Sequence, residues 1–428
     1  MKLNFHRVVV CALALAAFGA NANAEPANSF AAALRADPRS PDEIRQANLA
    51  IKSFPKADAE FFKDRADIPA WWQSTLAERN AFFSTQVKRG EVITYGTSAG
   101  GRPLRAVAYG KPRTGRGTTT ASGALGFGDI RAWLGADHAK RVGVVFSGIH
   151  AGEFEGIVAT MNLLAVLETG KDLGGRAQPA LASAAARFDR LIIIPIANPD
   201  ARARIPTRML PFTGNSKAAS YLNVGAWADG SLVGWPANKE FTPIDFGRMQ
   251  FAGGYFNDAG VNCQHDDFLG TMQPETRALL DLCARERPDL SLNLHTGADW
   301  NDYFLVVCRS DIGSALVPAW TELYRRVHSA LAVAGHRSTT NSVEESDLAH
   351  TSSFGQNLDT TINLHAGTLS TMIESPSVSF AGKRRDGTPV PSDPLKLLDA
   401  HLVMFTAAFN YVTDTGGLPA WTAKKATR

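Results

Sequence analysis

The chain has 428 residues, of which 45% are hydrophobic, enough for one large domain or two ordinary ones. The formal net charge is only +3, and charges of one sign do not form long runs. This balance argues against nucleic acid or a membrane surface as a partner of the protein.

The first residues have the pattern of a secretory signal peptide, which we assign to residues 1–24. Lys2 and Arg7 precede an apolar stretch, and Ala22-Asn23-Ala24 has the small-x-small form of a cleavage site. The stretch is too short to span a membrane as a mature helix. We therefore predict a periplasmic or secreted protein without stable membrane insertion.

The next segments predict helices, then a hairpin, then a loop. Residues 25–90 mix charges with apolar spacing and predict a few helices. "EVITYGTSAGGRPLRAVAYG" (91–110) alternates like two strands around a glycine-rich turn. Residues 111–128 contain few large apolar side chains, so we expect a surface loop there.

From residue 142 onward, apolar runs alternate with helical patterns. Such alternation predicts an α/β fold with a mixed, mostly parallel twisted sheet and helices on both faces. Residues 201–256 are rich in Gly, Pro, Asn and Trp and show no sustained period. A segment of that length without a pattern predicts an elaborated loop over a site.

Three predicted strands end in a residue that binds metals or moves protons. "VGVVFSGIH" ends at His150, with Glu153 in the turn that follows; "DLSLNLH" ends at His295 and "TLSTMIE" at Glu374. The carboxyl ends of strands in an open α/β sheet share one rim, so these side chains are expected to converge. Two histidines and one carboxylate are a ligand set of catalytic zinc, and a second carboxylate beside the open position suits a general base.

With these motifs in this order, the sequence resembles a zinc carboxypeptidase of the carboxypeptidase A type (peptidase family M14, the funnelin fold). The resemblance also includes "YGTSAGGRPL", "NPD", "GVNCQHDDF" and "PETRAL". It covers about residues 91–415, which we take as the catalytic domain, with residues 416–428 as a tail. It implies one Zn²⁺ ion held by His150, Glu153 and His295. It also implies cleavage of a peptide amide bond by a zinc-activated water, with Glu374 as the general base.

The resemblance implies two further roles around the metal. The family uses an arginine downstream of "NPD" to stabilise the oxyanion; Arg202, Arg204 and Arg208 compete here, and we favour Arg204 slightly. Asn262 stands where the family often has an aspartate that accepts a hydrogen bond from a zinc-bound histidine. An amide oxygen is therefore expected to take that place.

Two departures from the family pattern concern the substrate. The Asn-Arg pair that grips the substrate carboxylate falls on Gln264 and His265, which we take as substrate-binding residues. Histidine cannot form the bidentate pair of hydrogen bonds with a carboxylate that arginine forms. The catalytic tyrosine is also missing, because no tyrosine lies between Tyr324 and Tyr411. His350 and His365 are possible replacements, although a surface or packing role is favoured for both.

These departures leave other functions open. A deacylase or a cell-wall peptide amidase on the same scaffold is the alternative enzyme, and a non-catalytic zinc- or ligand-binding relative is a second alternative. "GTSAG" at 96–100 matches the nucleophile elbow of serine hydrolases, with Ser98 as nucleophile. That elbow requires a helix after it, whereas the following residues alternate like a strand, so a hairpin turn is favoured.

Several other side chains are given structural or solvent roles. We expect Glu155 to be solvated, and likewise Asp359, for which lining a pocket for a basic side chain is the weaker alternative. Once the signal peptide is removed, three cysteines remain (Cys263, Cys283 and Cys308), enough for at most one internal disulfide. Oligomeric state and side-chain preference are not predicted.

Overall fold

A seven-stranded mixed sheet organises the chain. The computed structural model describes residues 37–115, 117–234, 236–238, 242–297, 306–309, 314–336, 356–379, 381–383 and 389–423. The predicted signal peptide lies outside these residues.

The strands and helices have the following bounds. The strands are β1 Glu91–Thr97, β2 Pro103–Gly110, β3 Val142–Ser147, β4 Arg190–Ile194, β5 Ala226–Trp227, β6 Met249–Phe251, β7 Leu290–Thr296, β8 Val306–Arg309, β9 Leu369–Ser375, β10 Ala381–Lys383 and β11 Pro389–Pro391. The helices are α1 Pro41–Ala50, α2 Leu76–Thr85, α3 Ala121–Phe127, α4 Arg131–Leu134, α5 Phe154–Thr169, α6 Pro179–Ala185, α7 Pro199–Arg204, α8 Lys217–Val224, α9 Pro274–Glu286, α10 Val317–Val333, α11 Leu358–Ala366, α12 Pro394–Thr415 and α13 Gly417–Trp421.

The strands of the main sheet follow the order β1-β2-β4-β3-β7-β9-β8, and the centre of this sheet is parallel. Strand β3 pairs in parallel with β4 and β7, and β7 pairs in parallel with β9, whereas β1, β2 and β8 join antiparallel. Every residue of β3 is buried, as expected of a continuous apolar strand that helices cover on both faces. The predicted α/β fold, including the 91–110 hairpin, is confirmed.

Side chains of the central strands alternate between two hydrophobic cores. Val145 contributes to the core that α5 and α12 cover, and Val144 and Phe146 contribute to the core beneath α9 and α11. Helix α5 has buried residues on all of its sides, from Phe154 to Val166. Because α5 starts directly after the turn that carries His150, this buried helix fixes one side of the site.

The N-terminal helical segment packs on the rest of the chain. Asn48 of α1 donates hydrogen bonds to the backbone oxygens of Ile244 and Ala259, and the Trp72 side chain is buried. Among the described residues, no helix combines the length and apolarity that a bilayer crossing requires.

Two sequence-based expectations differ from the structure. Residues 121–127, expected within a surface loop, form α3, which Thr120 caps and Gly128 ends in the left-handed conformation. The expected tail includes α13, where Leu418 is fully buried and its N–H donates to Asp289. Both helices are short, and each contains only two large apolar side chains, so neither gives a periodic signal in the sequence.

Candidate metal centre and active site

Three side chains gather at the carboxyl-end rim of the parallel strands. His150 lies in the turn after β3, Glu153 directly precedes α5, and His295 is near the end of β7. The His150 Nδ1 atom is 3.0 Å from Glu153 Oε1, and the His295 Nδ1 atom is 3.0 Å from Glu153 Oε2. These residues are all buried and are able to hold a metal ion, since their ligand atoms lie within 4.8 Å of one another.

The donor set fits zinc. Ligand atoms about 2.0–2.2 Å from a tetrahedral ion are about 3.4 Å apart, close to the two nitrogen–oxygen separations found here. The protonation state of His150 is also compatible with a bound zinc ion. Asn262 Nδ2 donates to the Asn238 backbone oxygen at 2.7 Å, so Asn262 presents its Oδ1 to His150 Nε2 at 3.1 Å. The Nε2 atom therefore carries the proton, and the lone pair on Nδ1 is left for a metal.

A ring and an amide complete the surroundings of these side chains. Tyr255 stacks on His150 with ring centroids 3.8 Å apart and an interplanar angle of 20°. Asn223 Nδ2 donates to Glu153 Oε1 at 2.8 Å, and the Thr296 backbone N–H donates to Glu153 Oε2 at 3.0 Å. Sequence reasoning missed both Asn223 and Tyr255, although it did place an elaborated loop over the site.

Close backbone approach brings Asn223 and Tyr255 to the site. A Cβ atom on Gly152 would lie 2.7 Å from the Leu222 oxygen, and one on Gly254 would overlap the Gly152 nitrogen. Only glycine fits at such contacts. The "GG" at 253–254 is the signal in the sequence that marks this approach.

The charges of the three residues are mutually dependent. Burial raises the pKa of Glu153, but His150 and His295 outweigh it and hold this pKa below its usual range. Burial lowers the pKa of His295, and the Glu153 carboxylate more than compensates, so the net shift is upward. A carboxylate that remains ionised while buried is suited to a cation.

Glu374 lies beside the metal-ligand residues on the neighbouring strand. The parallel register of β7 and β9 pairs His295 with Glu374. Paired residues on adjacent strands project from the same face of a sheet about 4.8 Å apart. Glu374 is partly exposed, and its charge helps to raise the pKa of His295.

Arg204 is engaged in structural contacts. Its Nη1 donates to the backbone oxygens of Gly253 and Phe256 at 2.8 Å each, and its Nη2 pairs with Asp258 at 2.8 Å. Burial lowers its pKa, and Asp258 opposes this shift. These contacts clamp the turn that carries Tyr255. The role of Arg204 in stabilising the oxyanion stays a prediction.

The two competing arginines are also engaged. Arg202 is buried, its guanidinium donates to three backbone oxygens, and it lies over the Phe154 ring at 4.8 Å. Arg208 forms a 2.5 Å ion pair with Glu78. Each arginine after "NPD" thus fixes a loop or a helix.

Gln264 belongs to a buried polar network. Its Nε2 donates to Asp359 Oδ2 at 3.0 Å, and its Oε1 accepts from Asn293 Nδ2 at 3.0 Å. Asp359, expected to be solvated, is instead fully buried and also accepts from Asn293 and Ser370. Gln264 would have to give up these bonds to bind a substrate carboxylate. Its role in substrate binding stays a prediction.

His265 is partly exposed at the start of the following loop. Asp266 and Asp267 beside it accept backbone N–H bonds within that loop, from Gln273 and Thr271 respectively. Its role in substrate binding stays a prediction. His365 is exposed in the last turn of α11, and His350 lies outside the described residues.

Ser98 is part of the hairpin turn between β1 and β2. Its hydroxyl donates to Asp200 Oδ1 at 2.6 Å and accepts from the Arg102 N–H at 2.9 Å. Strand β2 follows where a nucleophile elbow needs a helix. The serine hydrolase alternative is therefore wrong, and the aspartate of "NPD" organises the turn.

Glu155 is buried rather than solvated, with 4% exposure. Its Oε2 accepts from the Thr296 hydroxyl at 3.1 Å, and its Oε1 accepts from the Val378 N–H at 2.7 Å. Burial raises the pKa of Glu155 to about 7. The residue joins the start of α5 to the ends of β7 and β9. Cys263 and Cys283 are free thiols in the core beneath α9 and α11.

Comparison with solved structures finds matches to metallo-carboxypeptidases at low sequence identity. A metallo-carboxypeptidase from Burkholderia cenocepacia is 16% identical over 79% of this chain and 69% of its own, with a TM-score of 0.48. Carboxypeptidase A from Helicoverpa armigera is 14% identical over 94% of this chain and 82% of its own, with a TM-score of 0.45. A Pseudomonas aeruginosa metallo-carboxypeptidase, solved with (2-guanidinoethylmercapto)succinic acid, is 15% identical over 79% and 67%, with a TM-score of 0.44.

Comparison with curated protein sequences gives no match. The zinc carboxypeptidase family (peptidase M14) matches residues 81–374, more than half of the chain. The matched range includes the His-Glu-His cluster and ends at Glu374. The chain therefore belongs to the zinc carboxypeptidases of peptidase family M14, which makes it a zinc metallopeptidase.

Proposed function

We propose that this protein hydrolyses a peptide amide bond in the manner of a metallocarboxypeptidase, with His150, Glu153 and His295 as zinc ligands and Glu374 as the general base. The proposal depends chiefly on the geometry of the rim. The three ligand residues gather there, and the register of β7 and β9 sets Glu374 beside His295.

The protein's own groups have separate tasks in this reaction. A zinc ion, when bound, supplies Lewis acidity that brings the pKa of water from 15.7 to about 7. Glu374 takes a proton from the attacking water and delivers it to the leaving amine. Asn223 and Thr296 hold the two Glu153 oxygens in place, and Asn262 fixes the His150 tautomer.

The test is Glu374→Gln, with Glu322→Gln as a matched control on the exposed surface of α10. We expect Glu374→Gln to retain zinc, measured by metal analysis of the purified protein, and to lose at least about 100-fold in kcat because the base is removed. Glu322→Gln should behave as the parent. A Glu374→Gln protein that hydrolyses peptides at the parental rate would refute the role of the base. Parental protein that binds zinc but hydrolyses nothing would indicate the non-catalytic alternative.

One observation favours a second candidate, an amidase or deacylase that needs no free C-terminal carboxylate. Gln264 stands in place of the family's asparagine, and its amide is committed to Asp359 and Asn293. Paired peptides with free and amidated C-termini separate the two functions. Preference for the free carboxylate supports a carboxypeptidase, and equal cleavage supports the second candidate.

We also propose that the protein is exported, on the basis of the pattern in residues 1–24. Expression of the full chain in a Gram-negative host, fractionation and N-terminal sequencing test this. We expect mature protein in the periplasm or the medium, beginning after Ala24. Uncleaved chain in the cytoplasm would contradict export.

A further inference from the structure

Tyr255 has a position against the metal-ligand residues that no part of the proposed mechanism uses. Its ring lies nearly parallel to the His150 imidazole, with 3.8 Å between centroids. His295, in contrast, meets His150 edge to face, at 4.8 Å and 72°. Within the part of the chain that the structure describes, Tyr255 therefore stacks on His150 and not on His295.

The backbone around Tyr255 is fixed from two sides. On one side, Arg204 binds the oxygens of Gly253 and Phe256, the residues that flank Gly254 and Tyr255. On the other, the N–H groups of Gly254 and Tyr255 both donate to the Asn223 backbone oxygen, at 2.8 and 2.9 Å. The Tyr255 ring is therefore presented to His150 by a braced turn.

His150 is consequently restrained in two directions. The hydrogen bond from Nε2 to Asn262 Oδ1 acts in the plane of the imidazole, and Tyr255 acts across its face. A ligand that cannot rotate loses little conformational freedom when a metal binds. The electron-rich face of a phenol ring also favours an imidazole that carries positive charge, as a metal-bound one does.

We propose that Tyr255 is a positioning residue for His150, and that its ring raises the affinity of the site for zinc. This inference rests on the proposed function only in taking His150 as a zinc ligand. The contact with His150 is made by the ring, so Tyr255→Phe, which keeps the ring, should keep this effect. Removal of the ring should weaken zinc binding by about five- to thirty-fold, the range for a desolvated contact between a cation and an aromatic face.

The experiment compares the parent with Tyr255→Phe and Tyr255→Leu. Zinc dissociation constants of the metal-free proteins are measured by competition with a chromophoric chelator, and the visible spectra of the cobalt(II)-substituted proteins are recorded. Tyr411→Leu is the matched control, because Tyr411 stacks on Trp421 at 5.0 Å on α12 and contacts no candidate ligand. Tyr255→Met, which keeps most of the side-chain volume, replaces Tyr255→Leu if the latter does not fold.

We expect Tyr255→Phe and Tyr411→Leu to bind zinc within about two-fold of the parent, and the ring-free variants to bind it more weakly with an altered cobalt spectrum. Parental affinity and spectrum in a folded ring-free variant would overturn the inference alone. Equally weak binding by Tyr255→Phe would also overturn it, because the ring would then not be the relevant group. A parent that binds neither zinc nor cobalt would instead refute the proposed function.

Discussion

Replacement of Asp359 by alanine should destabilise the protein far more than replacement by asparagine. The carboxylate is fully buried and accepts three hydrogen bonds, from Gln264 at 3.0 Å, Asn293 at 2.9 Å and Ser370 at 2.8 Å. Alanine removes both acceptor oxygens, and with them all three hydrogen bonds.

The size of the expected loss depends on which acceptors remain for each donor in the alanine variant. Asn293 keeps the Gln264 Oε1 atom at 3.0 Å, and Gln264 keeps only a weak sulfur acceptor in Met372 at 3.3 Å. The Ser370 hydroxyl can rotate. A buried donor without an acceptor costs about 1–3 kcal/mol, so we expect Asp359→Ala to lose about 3–4 kcal/mol in the free energy of unfolding.

Asparagine preserves the pattern of bonds. Its oxygen can accept from Gln264 and Asn293, and its NH₂ can donate to the Ser370 hydroxyl, which accepts as well as donates. We expect a loss below about 1 kcal/mol for Asp359→Asn. Urea unfolding of the parent and both variants, followed by tryptophan fluorescence and circular dichroism, measures the difference.

Two results would refute this reasoning. An alanine variant within about 1 kcal/mol of the parent would mean that water or a local rearrangement satisfies the three donors. An asparagine variant as unstable as the alanine variant would mean that the negative charge, rather than the acceptor pattern, stabilises the network.

Three other substitutions test further buried polar groups. Asn262→Asp should lower the free energy of unfolding of the metal-free protein, measured in urea, by about 1–3 kcal/mol. In this variant a carboxylate oxygen would face the Asn238 carbonyl oxygen, in place of the present 2.7 Å hydrogen bond. Equal or greater stability would contradict this expectation. Glu155→Ala should cost about 2–4 kcal/mol in the same assay because two buried donors lose their acceptor, and a loss below 1 kcal/mol would show that they find another. Burial lowers the pKa of His401 from 6.5 to about 4. As the pH drops, the histidine is therefore protonated in the unfolded chain before it is protonated in the folded protein. The free energy of unfolding should fall by about 3 kcal/mol between pH 6.5 and pH 4. His401→Leu should flatten that part of the pH–stability curve, and an unchanged slope would show that other groups cause it.

The central strands and the convergence of the candidate metal-ligand residues were predictable because burial on both faces leaves a simple pattern. A strand covered on both sides is a continuous apolar run, so a polar residue at its end stands out. His150 and His295 are such residues, and the parallel order of their strands brings them to one rim.

The buried acids were not predictable from local pattern. Glu155 and Asp359 were expected to be solvated because carboxylates are rarely fully buried. The donors that stabilise them come from distant segments; Thr296 is 141 residues from Glu155, for example. No periodic pattern in the local sequence indicates such a partner.

Tyr255 and Asn223 were missed for a related reason. Both lie in the 201–256 segment, where the course of the backbone, rather than a repeating pattern, decides which side chains reach the site. The two glycines at 253–254 mark a close approach, but a sequence does not say what is approached.

The in-register pairing of His295 with Glu374 has a consequence for how this scaffold tolerates change. Seven consecutive ladder pairs, from Leu290 with Leu369 to Thr296 with Ser375, set the spacing between His295 and Glu374, the candidate ligand residue and the proposed base. These backbone hydrogen bonds lie within the sheet. Insertions, deletions or transplanted segments outside the two strands can therefore change the surroundings of the site while His295 and Glu374 keep their separation.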